Sequence, residues 1–417
     1  MISEWDWQRL GNNCLKIGSG STPTGGKDTY LGSGPYSLIR SQNIHNDGFK
    51  PLGLAFINLE QAKKLEGVSV EAGDVLLNIT GDSVARVCLV PSKYLPARVN
   101  QHVAIIRPID SIFDSRFVRY FLASSYQQDL MLGMAAAGAT RNALTKAMIE
   151  DFKIPCPPID IQRGIADTLS EIDDCITALR ESSTTLEAMA QAIFKSWFID
   201  FDPVHAKMEG RIPEGMDETT ASLFPNSFEE SEMGLIPRGW KVCQFEKFIS
   251  RISVGKKFDQ KSAIVLGKVP ILDQGRSGII GFHNEKPSVI ANLENPVVVF
   301  ANHTCYMRLI SYDFSAIQNV LPFVGKDVDT VWAYFATRNK VKLSEYKGHW
   351  PEFAVQKAIL PISNLTNCFR DTVNSMVSCI HFNELEAKSL EALRDTLLPR
   401  LISGQLRIPD FAESSLN

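Results

Sequence analysis

Apolar residues recur at alternating steps of four and three along two stretches of the chain. The first runs Ile165, Leu169, Ile172, Ile176, Leu179, Ser183, Leu186, Ala190, Ile193 and Trp197, with one polar exception. That period is a heptad seam, so it predicts a long helix with a narrow apolar stripe. A second, weaker seam follows Phe369, Val373, Met376, Ile380, Asn383, Ala387, Leu390, Arg394, Leu397 and Leu401. Pro157-Pro158 and Pro361 precede the two stretches and Ser403-Gly404 follows the second, as expected at helix limits. At about 1.5 Å per residue the first seam would form a rod of roughly 50 Å. An unbroken run of that length suits a spacer better than the wall of a small globule. The two seams are therefore expected to pair with each other, antiparallel, with a globule at each end. Packing of each helix on its own globule is the alternative.

Outside the seams the pattern changes to short β-branched or apolar runs bounded by turn residues. Gly73–Ile79, Val103–Ile106, Lys268–Leu272 and Asn295–Phe300 read as strands, separated by polar, glycine-rich loops such as Gly18–Pro23 and Gln274–Gly278. Short helices are expected over Ser115–Leu132 and near Asp329–Leu343. The two halves also resemble each other. Leu186-Glu187-Ala188-Met189 returns as Leu390-Glu391-Ala392-Leu393, Cys175 as Cys379, and Asn100-Gln101-His102-Val103 as Ile317-Gln318-Asn319-Val320. The predicted fold is α+β: two mixed, β-rich domains separated by two long antiparallel coiled-coil helices, with an internal pseudo-two-fold repeat. The expected boundaries are 1–155 for the first globule, 156–202 for the central helix and 203–236 for a partly ordered linker. The second globule is expected over 237–361, the distal helix over 362–404 and a C-terminal tail over 405–417.

Charge follows this segmentation. The chain of 417 residues is formally −4, but residues 156–235 carry −11 while 236–361 carry +7. The average therefore does not argue against an anionic partner for the globules. No apolar run approaches the roughly 20 residues that cross a bilayer, and MISEWDWQRL is no basic leader, so no membrane partner and a cytoplasmic location are expected. The eight cysteines show no C-x-x-C or cysteine–histidine spacing, which predicts free thiols and no metal site.

Catalytic motifs are missing where a nucleic-acid enzyme would need them. The chain has no G-x-x-x-x-G-K-[ST] loop and no acidic-proline-proline-aromatic tetrapeptide. Gly275–Gly281 lacks the order and following helix of a dinucleotide loop and is read as a turn. Asp200 and Asp202 could ligate a cation, but an acidic helix end running into Pro203 explains them better. The chain is expected to be no enzyme.

Three segments carry a resemblance. Ile193–Lys207, with Lys195-Ser196-Trp197-Phe198 and Asp200-Phe201-Asp202-Pro203 at its centre, closely resembles the end of the central conserved helix in type I restriction-modification specificity (S) subunits. Leu397–Arg407 is similar to the end of their distal helix, and Pro155–Ile159 through Gln162 and Ile165-Ala166 to the start of their first. The resemblance implies two target-recognition domains, each binding one half of a bipartite site in double-stranded DNA. It also implies helices that scaffold two methyltransferase (M) subunits, with motor-nuclease (R) subunits joining the complex. S-adenosylmethionine, ATP and Mg would serve those partners, with no cofactor on this chain. A related methylation-based defence system lacking the nuclease, or a coiled-coil DNA-binding protein unrelated to modification, are the alternatives.

Such recognition needs basic groups for phosphates and amide, hydroxyl or guanidinium groups for base edges. In the first globule the polar loops offer Lys27, Arg40, Gln42, Asn43, Arg86, Arg98, Asn100, Gln101, His102, Thr140, Arg141 and Asn142. In the second, the analogous places hold Lys256, Lys257, Lys261, Gln274, Arg276, Asn302, His303, Gln318, Asn319, Lys347, His349 and Trp350.

Overall fold

The computed structural model describes residues 4–137, 142–265, 267–275, 278–343, 345 and 347–407. The chain divides into two compact units, one from positions 1–178 with 386–417 and the other from 179–385. Each unit takes part of both long helices, Ile159–Phe198 (central) and Ser363–Ser403 (distal). Every seam position is buried or half-buried, while most positions between them are exposed.

The first unit is built around two four-stranded sheets. One is wholly antiparallel, in the order Cys14–Ser19, Val103–Pro108, Val75–Asn78, Val87–Leu89. The other has the order Ala55–Ile57, Tyr36–Ile39, Ala97–Val99, Ser69–Val70, with Tyr36–Ile39 and Ala97–Val99 parallel. Strand alternation supplies two cores from one sheet. Val75, Leu77, Ala104 and Ile106 pack with Phe117 and Phe121, whereas Leu76, Val103 and Ile105 pack with Ile39, Ala97 and Val99. The single helix expected over Ser115–Leu132 is two, Ser115–Ala123 and Ser125–Ala137, because Ser124 turns extended and its hydroxyl donates to the Phe121 carbonyl. Trp7–Arg9 pairs antiparallel with Lys153–Pro155 and closes the unit.

The long helices enter this core directly. Ile165 and Leu169 of the central helix share it with Leu398, Leu401 and Ile402 of the distal helix. Buried Gln162 accepts from the Asp114 backbone N–H at 3.0 Å and donates to the carbonyls of Ile112 and Pro157, so the helix start is tied to the cap of Ser115–Ala123.

The second unit repeats this plan with other residues. Its antiparallel sheet has the order Ile249–Arg251, Val320–Gly325, Val297–Ala301, Met307–Ile310. Beside it Val269–Leu272 lies between antiparallel Ile279–His283 and parallel Ser315–Ala316. Lys241–Gln244 pairs with Lys357–Leu360, and Asp329 caps Thr330–Thr337 while its own N–H donates to buried Thr366 at 3.0 Å. Phe194 and Phe198 of the central helix and Phe369 of the distal helix pack with Trp332 and Phe335 in an aromatic core.

Residues 203–236 are more ordered than the partly ordered linker expected of their composition. They carry helices Asp202–Met208 and Glu218–Ser222 and a hairpin of Phe228–Ser231 with Gly234–Pro237. Aromatic packing fixes the segment: Phe224 meets Trp197 edge-on at 5.6 Å, and Phe228 packs on Phe201 and His205. Lys207 donates to the carbonyls of Ala221 and Phe224. Asp200 pairs with Lys195 and Asp202 accepts from Ser196 at 2.7 Å, so both carboxylates close the helix end. The described residues hold no disulfide and no helix long and apolar enough to cross a membrane.

Candidate nucleic-acid interface

In the first unit the polar groups converge on the turn between Ala97–Val99 and Val103–Pro108. Buried Asn100 builds it: its N–H donates to the Ile39 carbonyl, its carbonyl accepts from Val103, and its side-chain oxygen accepts from the His102 N–H. Strands on either side clamp the turn. Gly20 donates to the Val103 carbonyl and Ser21 to that of Val99, while Ile79 donates to the carbonyl of His102. A side-chain chain of hydrogen bonds then crosses the surface. The Thr22 hydroxyl donates to Gln101 Oε1, Gln101 Nε2 meets His102 Nε2 at 3.1 Å, and His102 Nδ1 meets the Thr80 hydroxyl at 2.6 Å. The turn Asn142–Ala143 lies alongside, with Gly81 donating to the Asn142 carbonyl and Ala143 bridged to Thr80.

The second unit has a turn at the same place in its sheet, where Val320 donates to the Ile317 carbonyl. Asn319 takes a left-handed conformation there (φ 68°), and its carbonyl accepts from Asn302. Around Asn302 a second cluster forms. Its side-chain oxygen accepts from the Trp350 N–H at 2.8 Å, and its carbonyl accepts from His349. The His303 N–H donates to Gln274 Oε1 at 2.9 Å, the Thr304 hydroxyl donates to the Gln274 carbonyl, and His303 Nδ1 donates to the Lys347 carbonyl at 2.9 Å. Lys256, Lys257 and exposed Gln318 line a groove with Phe258, and Lys256 pairs with Glu285.

The sequence candidates therefore separate by placement. Gln101, His102 and Asn142 gather at one surface, as do Gln274, Asn302, His303, Asn319 and Lys347 at the other. Lys27 and Lys261 are exposed outside these clusters, and Arg86 is half-buried. Arg40 and Gln42 both donate to the Gly53 carbonyl and hold a loop, with the Arg40 guanidinium 5.2 Å from the Tyr30 ring centre. Four candidates are corrected by burial. Arg98 donates to the Ala62 and Ala97 carbonyls, and Asn43 accepts from Arg40 and donates to Lys50, so both serve the interior. Asn100 shapes its turn from within, and fully buried His349 bonds the Glu345 carbonyl and Glu352. Trp350 is half-buried beneath Arg251. Thr140, Arg141 and Arg276 lie outside the described residues. The sequence reading missed Thr22, Thr80 and Thr304. Thr22 lies in the glycine-rich loop Gly18–Pro23, but its pairing with Gln101 spans 79 positions and only the fold reveals it.

Residues 3–188 match the family model of the type I restriction modification DNA specificity domain. The chain is similar to the type I restriction enzyme HindI specificity subunit of Haemophilus influenzae, 22% identical over 83% of this chain and 88% of that protein. It is likewise 22% identical to the type I restriction enzyme MjaIX specificity subunit of Methanocaldococcus jannaschii, over 98% of this chain and 95% of that one. Its fold is similar to the crystal structure of a type I restriction-modification system S subunit from M. genitalium, with TM-score 0.51, 14% identity and 96% of each chain covered.

Proposed function

We propose that the chain, whose residues 3–188 match the family model of the type I restriction modification DNA specificity domain and which is similar to specificity subunits, is the DNA-recognition subunit of a methylating complex. In this reading each unit binds one half of a bipartite DNA target. The paired seams form a coiled coil that scaffolds methyltransferase subunits, and motor-nuclease subunits join them. Catalysis, with S-adenosylmethionine, ATP and Mg, belongs to those partners, and this chain supplies recognition. One observation carries the two-site reading: an antiparallel sheet of the same strand order, with a turn at the same place, occurs in both units, but the turn displays Gln101 and His102 in one and Gln318 and Asn319 in the other. A shared frame with different hydrogen-bonding groups is what two dissimilar half-sites require.

The test is a map of methylated adenines in a host producing the chain with its methyltransferase subunit, against the same host without the chain. A methylated bipartite motif that appears only with the chain is the expected result. Methylation independent of the chain would overturn the reading.

A further inference from the structure

We propose that Gln101 reads an A·T pair in the half-site bound by the first unit, its amide held in place by Thr22 and His102. The inference rests on the function proposed above and adds to it one residue and one base.

A primary amide has two N–H donors and two acceptor lone pairs. Gln101 uses one of each within the protein, since Oε1 accepts from Thr22 and Nε2 donates to His102 Nε2. With Nε2 accepting, the ring proton lies on Nδ1 and donates to the Thr80 hydroxyl. Reversing the amide and the ring tautomer together gives the same count. Either way one N–H and one lone pair remain on the amide. That is the complement of adenine in the major groove, where N7 accepts and N6 donates.

Rigidity makes this amide a reader. A flexible surface glutamine loses rotamer entropy on binding, but Gln101 is already fixed at both atoms. Its turn is clamped from both sides by the Gly20, Ser21 and Ile79 N–H groups, and Gln101 itself is exposed. Gln318, at the matching turn of the second unit, is exposed too, but among the described residues its side chain has no hydrogen-bond partner. The orienting pair is therefore a property of the first turn.

The experiment uses the full chain with its methyltransferase subunit and compares methylated-adenine motifs for wild type, Gln101→Ala and Gln101→Glu. Thermal melts of each complex would show that the exposed substitutions leave the fold intact. Gln101→Ala should make one A·T position of one half-site degenerate, with roughly ten- to hundredfold less discrimination there. Gln101→Glu accepts but cannot donate, so it should shift the same position toward C·G. The other half-site should be unchanged. Unaltered motifs in both variants, or methylation lost at all sites alike, would overturn the proposal. If the wild-type chain directs no methylation, the function proposed above fails instead, and the two failures are distinct.

Discussion

Asp173 of the central helix and Arg394 of the distal helix, 221 positions apart in the chain, are joined by a charge-assisted hydrogen bond of 2.7 Å. The other Asp173 oxygen accepts from Arg119 at 3.0 Å and from the Tyr120 hydroxyl at 2.8 Å. Burial would raise this carboxyl, but the two guanidiniums and the phenol outweigh it and hold it below the usual carboxylate range. Burial also pushes Tyr120 up to about 12.

Asp173→Asn should therefore cost about 3 kcal/mol near pH 7, because it leaves two largely buried guanidiniums without their shared carboxylate. The pH dependence has a defined sign. A depressed folded-state value gives stability that is complete above the unfolded carboxyl value of about 3.9 and is lost as pH falls through the lower folded one. Urea titrations across pH 2–7 should show the gap between wild type and variant closing below about pH 4. A gap that stayed constant with pH would contradict the assignment.

In the second unit the central helix is tied to its globule by Glu187. Glu187 Oε1 accepts from the Tyr334 hydroxyl and from Arg338, each at 2.7 Å, and burial raises Tyr334 well above its ordinary value. Glu187→Ala strands a buried hydroxyl and should cost about 1–3 kcal/mol. Tyr334→Phe leaves Glu187 paired with Arg338 and should cost less. Thermal melts of the two variants should rank in that order.

The seams were legible because helix burial is periodic and local. Ile165 and Leu169 share a core with Leu401, and Trp197 meets Phe369, as a four-three pattern in each stretch implies. The ordering of residues 203–236 was not legible, since their prolines, glutamates and glycines suit a linker equally well. Phe224, Phe228 and Trp240 were the available signal, and they matter only through contacts with Trp197, Phe201 and Phe198. Polar candidates fared unevenly for a related reason. Arg98 has the chemistry of a DNA contact but sits in a strand whose neighbours are buried on both sides, and residue type alone does not say which way it faces. Gln101 was found as a residue type, while the partners that fix it come from loops far away in sequence.

Lys207 gives a direct test of the ordered segment. Its ammonium donates to the carbonyls of Ala221 and Phe224 and ties the first helix after the central one to the turn before the hairpin. Lys207→Met keeps the stem and removes these charged hydrogen bonds, each worth about 1.5–3 kcal/mol. Amide exchange should speed up over Glu218–Phe228 and remain unchanged in the strands of the first unit.

Gly20 links the fold to the turn that carries Gln101. A β-carbon there would lie 2.1 Å from the Val99 carbonyl oxygen and 2.3 Å from that of Asn100. Both are backbone atoms, so relief requires moving the turn that carries Gln101. Gly20→Ala should destabilise the first unit by about 1–3 kcal/mol through overpacking. It should also impair recognition of the half-site assigned to Gln101 while sparing the other. Gly18→Ala is the control, because no atom lies within 4 Å of its added carbon. Thermal melts should separate the two substitutions, and binding to DNA altered in one half-site at a time should place the recognition defect of Gly20→Ala. Equal loss at both half-sites would mean that the turn serves stability alone.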